Sequence, residues 1–229
     1  MIAIIDYGMG NLRSVQKAFE HLGYEARIAQ TPAEIISANA CVLPGVGAFR
    51  DAIGRLNQTR LDDLIREVIA EGKPFLGICL GMQLLFSRSY EYGEYEGLGI
   101  LEGVINKFPP PLRVPHIGWN TVAPRNKAEG GWQKADGGLN TSAPSKEENP
   151  LFSGIPANSY FYFVHSYYVQ PSDEGVTAAT TEYGFEFTSM IRRNNLLATQ
   201  FHPEKSQQFG LTMLKNFAQL AEKSNYAGG

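Results

Sequence analysis

Cys79 lies where the sequence changes from one kind of secondary structure to another. Phe75 to Ile78 form a short apolar run typical of a buried parallel strand, and apolar residues from Leu80 onward recur at helical spacing. Gly77 and Gly81 flank the cysteine and permit a tight, strained turn. Such a turn exposes the sulfur at a helix N-terminus, where the dipole favours the thiolate. The pattern indicates a nucleophile for covalent catalysis, and the alternative is a small buried core residue.

A base for this thiol is found in the segment Phe201 to Lys205. Proline disfavours the helical conformation for the residue before it, so His202 is expected to be extended, with its side chain on the same side as that of Glu204. The carboxylate can then fix the tautomer of the imidazole, whose other nitrogen takes the thiol proton. The alternatives are a surface histidine and a carboxylate at a helix start.

The glycine loop Pro44 to Gly47 follows a predicted strand directly. Ligands of open α/β sheets collect at the carboxyl ends of the strands, so we expect this loop, Cys79 and His202 to share one crevice. His202 lies at this edge of the sheet only if the strand before it runs parallel to its neighbours. The loop can present backbone N–H groups to an oxyanion, and an ordinary tight turn is the alternative.

The elements that must position these residues predict an α/β fold. Apolar strands alternate with amphipathic helices in the first 80 residues, which indicates a mostly parallel sheet with helices on its faces. Extended segments then dominate, and the aromatic run at 160–170 is expected to be a central strand with both faces covered. The predicted strands are 2–5, 24–29, 41–43, 75–78, 104–108, 116–122, 160–170, 176–181, 185–191 and 196–201, and a helix over 208–220 closes the chain.

Composition limits the classes of function. With 229 residues, 43% of them hydrophobic, the chain can bury one full core. A net charge of −3 without a long basic run argues against nucleic-acid and membrane partners. The amino terminus shows no leader pattern, which predicts a cytosolic protein. Cys41 and Cys79 show neither disulfide nor metal-ligand spacing, and the loop Asp6 to Asn11 lacks the phosphate-binding glycine motifs, so we expect no metal and no cofactor.

The segment Gly77 to Gln83, together with His202-Pro203-Glu204, resembles the class I (triad) glutamine amidotransferases. Four further segments, 6–15, 44–47, 115–120 and 161–167, are similar to the glutaminase subunits of imidazole glycerol phosphate synthase. The resemblance covers nearly the whole chain. It implies one domain over residues 1–229, with a mixed sheet flanked by helices and a nucleophile-elbow cysteine. Residues 125–149, polar and longer than expected for the family, are interpreted as an exposed insertion.

The resemblance also implies roles for individual residues. Cys79 would attack the side-chain amide of glutamine, His202 would protonate the departing ammonia and Glu204 would orient His202. The N–H of Leu80 and the loop at Val46 and Gly47 would hold the oxyanion. The implied glutamine contacts are Gln83, Glu91, Ser166 and Tyr167.

A partner is implied by the same family. Its glutaminases form a heterodimer with a TIM-barrel cyclase, which uses the channelled ammonia to make imidazole glycerol phosphate and AICAR in histidine biosynthesis. The residues that match the interface are Asn11, Trp119, Tyr162 and Lys205, and each has a packing or surface role as its alternative. Two other functions stay open: a glutaminase that feeds another synthase, such as one for nucleotide-sugar amidation, and a binding subunit without catalysis. The intact triad speaks against the second.

Overall fold

The computed structural model describes residues 1–128, 131–134 and 149–224. Within them the chain forms one large mixed sheet flanked by helices. The strands are β1 Ile2–Ile5, β2 Ala26–Ala29, β3 Ala40–Gly45, β4 Phe75–Cys79, β5 Phe86–Ser89, β6 Tyr95–Glu96, β7 Leu101–Lys107, β8 His116–Ala128, β9 Gly131–Lys134, β10 Ser159–His165, β11 Tyr167–Pro171, β12 Thr177–Glu182, β13 Glu186–Arg193 and β14 Leu196–Thr199. The helices are α1 Leu12–His21, α2 Pro32–Ile36, α3 Phe49–Thr59, α4 Leu61–Ala70, α5 Leu80–Leu84 and α6 Gln207–Ser224.

The parallel part of the sheet has the order β2-β1-β3-β4-β14. Every residue of β1, β3, β4 and β14 is buried, which explains why these strands have continuous apolar sequences. Because β14 is parallel to β4, the chain leaves both strands at the same edge of the sheet. His202, which follows β14, is therefore at the same edge of the sheet as Cys79, as the sequence analysis required.

Two apolar clusters cover the two faces of this sheet. Alternate residues of β1 belong to different clusters, Ala3 and Ile5 to one and Ile2 and Ile4 to the other. The first cluster packs against α2 to α5, and the second against α1 and α6. A helix layer on each side holds the sheet, so the loops at its carboxyl edge stand on a rigid base.

Local signals explain where several helices begin and end. Thr31 and Glu34 form a capping box at the start of α2, and Gly23 follows α1 with a φ of 83°. Helix α3 was not predicted, although it buries Phe49 and other apolar residues at helical spacing. Arg60, with a φ of 57°, separates α3 from α4.

The aromatic run at 160–170 is not one central strand, so that prediction is wrong for residues 160–165, although residues 167–170 belong to a strand with neighbours on both sides. The run breaks at Ser166 into β10, which pairs with β8, and β11, which pairs with β7 and β13. Exposure alternates along β10, and Tyr160 is 58% exposed. The aromatic side chains on one face of β10 are therefore in the core, whereas those on the other face are at the surface.

Of the predicted insertion at 125–149, residues 129–130 and 135–148 lie outside the described part of the chain. Its first residues continue β8, which pairs with β9 as an antiparallel ladder. Asn149 is only 4% exposed, and its side chain accepts a hydrogen bond from the N–H of Leu151. Asn149 itself is therefore buried, contrary to the prediction. Among the described residues, no helix is long and apolar enough to cross a bilayer.

Candidate active site

Cys79 is the last residue of β4 and directly precedes α5. Its φ of 56° and ψ of −111° are strained for a residue with a side chain. The two flanking glycines allow the turn, since a Cβ on Gly81 would overlap the carbonyl oxygen of Leu43 and one on Gly77 would lie 3.0 Å from the Cβ of Ala198. The predicted nucleophile elbow is confirmed, and it holds the sulfur at the start of a helix.

His202 and Glu204 form a buried pair immediately after β14. His202 Nδ1 lies 2.8 Å from Glu204 Oε1, and both side chains are almost wholly inaccessible to solvent. The backbone fixes the histidine, because its N–H donates to the carbonyl of Tyr162 at 2.9 Å and its own carbonyl accepts from Ser206 Oγ at 2.6 Å. The carboxylate therefore sets the tautomer and the orientation of the ring.

The charge state of His202 depends on Cys79. Burial alone lowers the pKa of His202, but the negative charge of the Cys79 sulfur and the hydrogen bond to Glu204 raise it to about 10. Within the described residues, Nε2 is buried without a hydrogen bond of good geometry, so we attribute the influence of the sulfur mainly to charge. Contacts of this kind are often loose before the substrate binds.

A cavity of about 360 Å³ collects the remaining predicted residues. Gly45 pairs with Cys79 across β3 and β4, so Val46 follows beside the nucleophile, and Gly47 has a φ of 99° that favours glycine. The predicted residues that line this cavity are Val46, Gly47, Cys79, Leu80, Gln83, Glu91, Ser166, Tyr167 and His202. The structure thus brings the nucleophile, the base and the candidate oxyanion and substrate contacts together.

Gln83 and Glu91 have partners within the protein. Gln83 Nε2 donates to the carbonyl of Tyr167 at 3.1 Å. The carboxylate of Glu91 accepts from the N–H of Phe49 at 2.7 Å, at the first residue of α3, and burial raises the pKa of Glu91. The carboxylate is a suitable partner for an α-ammonium group.

Three of the four predicted interface residues lie together on the outer surface. The rings of Trp119 and Tyr162, paired across β8 and β10, have centroids 6.1 Å apart, and Lys205 Nζ lies 6.0 Å from the centre of the Tyr162 ring. Asn11 is half-buried at the start of α1, which packs against the turn at 203–205. None of the four lines the cavity.

Sequence reasoning missed Pro115 and Val164 of the cavity wall and, beside the sulfur, Gln200. Its side chain is fully buried, and Nε2 lies 3.7 Å from the sulfur of Cys79. The pairing of β14 with β4 explains this position, because it runs up to Thr199 and Ile78 and the next residue then lies beside Cys79. His165 also lines the cavity. The described residues contain no cluster of acidic, histidine and cysteine side chains that could hold a metal ion.

Comparison with known proteins agrees with this geometry. Residues 3–220 match the family model of the class-I glutamine amidotransferases. The imidazole glycerol phosphate synthase subunit HisH of Moorella thermoacetica is 50% identical, with 99% of this chain and 98% of that protein covered. The subunit HisH of Aquifex aeolicus is 47% identical, with coverages of 96% and 97%. The structure of PurLQS from Thermotoga maritima shares the fold at a TM-score of 0.67 and 16% identity, and the match covers 96% of this chain and 97% of that one. The chain therefore belongs to the class-I glutamine amidotransferases and, within them, to the family of the imidazole glycerol phosphate synthase subunit HisH.

Proposed function

We propose that this chain is the glutaminase subunit of an imidazole glycerol phosphate synthase and hydrolyses glutamine to glutamate and ammonia. The observation that carries the proposal is the convergence of Cys79 and the buried pair of His202 and Glu204 on one cavity. The family assignment supports the same activity, because full-length relatives at about half identity bear the name of that synthase subunit. A cytosolic location is part of this proposal.

The first half of the reaction forms a thioester. The Cys79 sulfur attacks the side-chain amide carbon of glutamine, and the proton of the thiol resides on His202. The C–N bond then breaks, and His202 returns the proton to the nitrogen so that ammonia leaves. While the sulfur is negative, the raised pKa of His202 keeps the proton on the imidazole, so the imidazolium is already in place when the attack begins. Glu204 keeps the ring oriented throughout, because it holds Nδ1.

The second half consumes one water. His202 accepts a proton from the water as it attacks the thioester, the C–S bond breaks, and the proton passes to the sulfur. Each attack places negative charge on the carbonyl oxygen of the substrate. The N–H of Leu80 at the start of α5 and the loop at Val46 and Gly47 are the proposed donors to that oxygen.

The cavity supplies complementary groups for the amino-acid part of glutamine. We assign the α-ammonium group to Glu91, the half-buried carboxylate of the cavity wall. Gln83, Ser166 and Tyr167 complete the proposed set, and the break between β10 and β11 places Ser166 at the wall. A cavity of about 360 Å³ has the size of an amino-acid ligand.

The ammonia passes in this proposal to a TIM-barrel cyclase that docks on the outer face of β8 and β10. We call this surface the docking face and define it by Ile117, Trp119, Tyr160, Tyr162 and Lys205. Ile117, Trp119 and Tyr160 are exposed and Tyr162 is half-buried. Their side chains lie on one face of two paired strands, and an exposed apolar patch of this kind is typical of a protein interface. Asn11 is assigned to the edge of this interface.

Glutamate production from glutamine tests the activity. The chain alone and the chain mixed with the cyclase of the same synthase are compared, with and without the nucleotide ligand of the cyclase. We expect turnover that rises when the partner is present and disappears in the Cys79→Ala variant. Glutamate formation by that variant would refute the mechanism. Co-elution with a synthase of another pathway, and not with this cyclase, would refute the assignment of the partner.

A further inference from the structure

We infer that the side-chain amide of Gln200 is a catalytic hydrogen-bond donor to the Cys79 sulfur, holding the thiolate for attack. The inference rests on the proposed function, since it assigns a further residue to the same reaction. The amide approaches the sulfur from β14, the strand that also leads to His202, and the Nε2 to Sγ distance is 3.7 Å.

The orientation of this amide is fixed by its neighbours. The carbonyl of Tyr167 can only accept, so Gln83 must turn its NH₂ group towards that oxygen. The same NH₂ group meets Gln200 Oε1 at 3.0 Å. The oxygen of Gln200 is thereby occupied, and its NH₂ group faces Cys79. A chain of three hydrogen bonds therefore aims an N–H at the sulfur.

The other neighbour of the sulfur explains why this donor matters. In the resting thiol, Sγ lies 4.0 Å from the carbonyl oxygen of Val164, a group that accepts a hydrogen bond and repels an anion. Once the thiol proton has passed to His202, the amide of Gln200 offers the sulfur a hydrogen in addition to the imidazolium. Because Gln200 is fully buried, water does not compete for the interaction. Hydrogen bonds to charged groups are the stronger ones.

The test reads the reactivity of the thiol directly. Iodoacetamide alkylates thiolates, and mass spectrometry of the digested chain reports Cys79 separately from Cys41, whose pKa burial raises to about 12. Gln200→Met keeps the length of the side chain and removes the donor. We expect the alkylation rate of Cys79 at pH 7 and kcat/KM for glutamine each to fall about tenfold, and the midpoint of the alkylation profile to move to higher pH.

A neighbouring variant controls for loss of structure. Thr199→Val removes a hydrogen bond to the carbonyl of Phe201 at an equally buried position of β14 but does not touch the sulfur. It should lower stability and leave the alkylation profile of Cys79 unchanged. A folded Gln200→Met protein with the wild-type profile would overturn the inference. A wild-type protein whose Cys79 fails to react would instead count against the proposed function.

A measurement on the unchanged protein covers the case in which Gln200→Met does not fold. The side-chain N–H resonances of Gln200 should titrate with pH as the thiolate forms, and this titration should vanish in Cys79→Ala. Resonances that do not respond to pH in the wild-type protein would contradict the inference.

Discussion

His116 Nδ1 lies 3.0 Å from His165 Nε2 in the interior of the protein. The groups around this pair fix both tautomers. His165 Nδ1 must donate to the carbonyl of Tyr167 at 2.8 Å, so its Nε2 accepts from His116. His116 Nε2 in turn accepts from Asn120 Nδ2 at 3.2 Å. A proton added to either ring would place two donors face to face, so both histidines are neutral in the folded protein.

This pair predicts a loss of stability in mild acid. Burial lowers the pKa of His116 from 6.5 to about 4, and burial lowers that of His165 to about 3. The unfolded chain therefore binds protons on these rings at a higher pH than the native chain, and the native state loses stability as the pH falls from 6.5 towards 4. Above that range the pair has no such effect.

Urea unfolding at pH 8 and pH 5 checks this expectation. The decrease in the free energy of unfolding between the two pH values should be smaller in His116→Gln than in the wild type, by on the order of 1–2 kcal/mol. The exposed His21→Gln variant serves as the control and should show the wild-type decrease. Equal pH dependence in the wild type and His116→Gln would show that His116 is not kept neutral by its surroundings.

Glu204→Gln should reduce turnover and leave glutamine binding largely intact. An amide can present its NH₂ group to His202 Nδ1, which favours the wrong tautomer for accepting a proton from the sulfur. We expect kcat to fall about a hundredfold with little change in KM. Glu102→Gln is a matched control, because Glu102 is a surface carboxylate that accepts a hydrogen bond from Ser87 Oγ at 2.8 Å. An undiminished kcat in Glu204→Gln would exclude the orienting role.

Gly81→Ala should disrupt the elbow. The added methyl group would overlap the carbonyl oxygen of Leu43, a backbone atom within the sheet that cannot move cheaply. We expect a loss of stability of about 2 kcal/mol or more, with little activity in any protein that folds. Gly54→Ala is the control in α3, where an added Cβ meets no atom within 4 Å. It should gain roughly 0.5–1 kcal/mol, and thermal unfolding of both variants separates the two outcomes.

Trp119→Ala should weaken the complex with the cyclase. The indole is 46% exposed on the docking face beside Tyr162, and exposed aromatic anchors contribute strongly to interfaces. We expect the Kd of the complex to rise at least about tenfold, measured by calorimetry. Ile36→Ala, at a site that is 53% exposed on α2, should leave the Kd unchanged. A Kd unaffected by Trp119→Ala would remove Trp119 from the interface.

Continuous apolar runs and the spacing of a few chemical groups were enough to predict the parallel half of the fold and the pairing of His202 with Glu204. Strand β4 could be predicted because all its residues are buried, and His202 because Pro203 restricts its backbone. These signals depend on neighbouring residues only, so they can be recognised in the sequence without the tertiary structure.

The aromatic run and Gln200 were not correctly placed because their environments depend on distant strands. Nothing in the residues themselves shows that the chain changes partners at Ser166, since β8 and β7 lie far away in sequence. Gln200 becomes part of the site through contacts with Gln83 and Cys79, more than a hundred residues earlier. Register between distant segments, and not local pattern, decides such positions.

The main chain and the side chain of Tyr162 make contacts on opposite sides, one with the histidine segment and the other with the surface. Its carbonyl accepts from the N–H of His202, its N–H donates to Ser206 Oγ, and its ring stands outside with Trp119 and Lys205. Substitution of the ring changes what the outside of the molecule offers without altering the peptide groups that anchor the histidine. The surface offered to a partner can therefore change while the support of the imidazole stays the same.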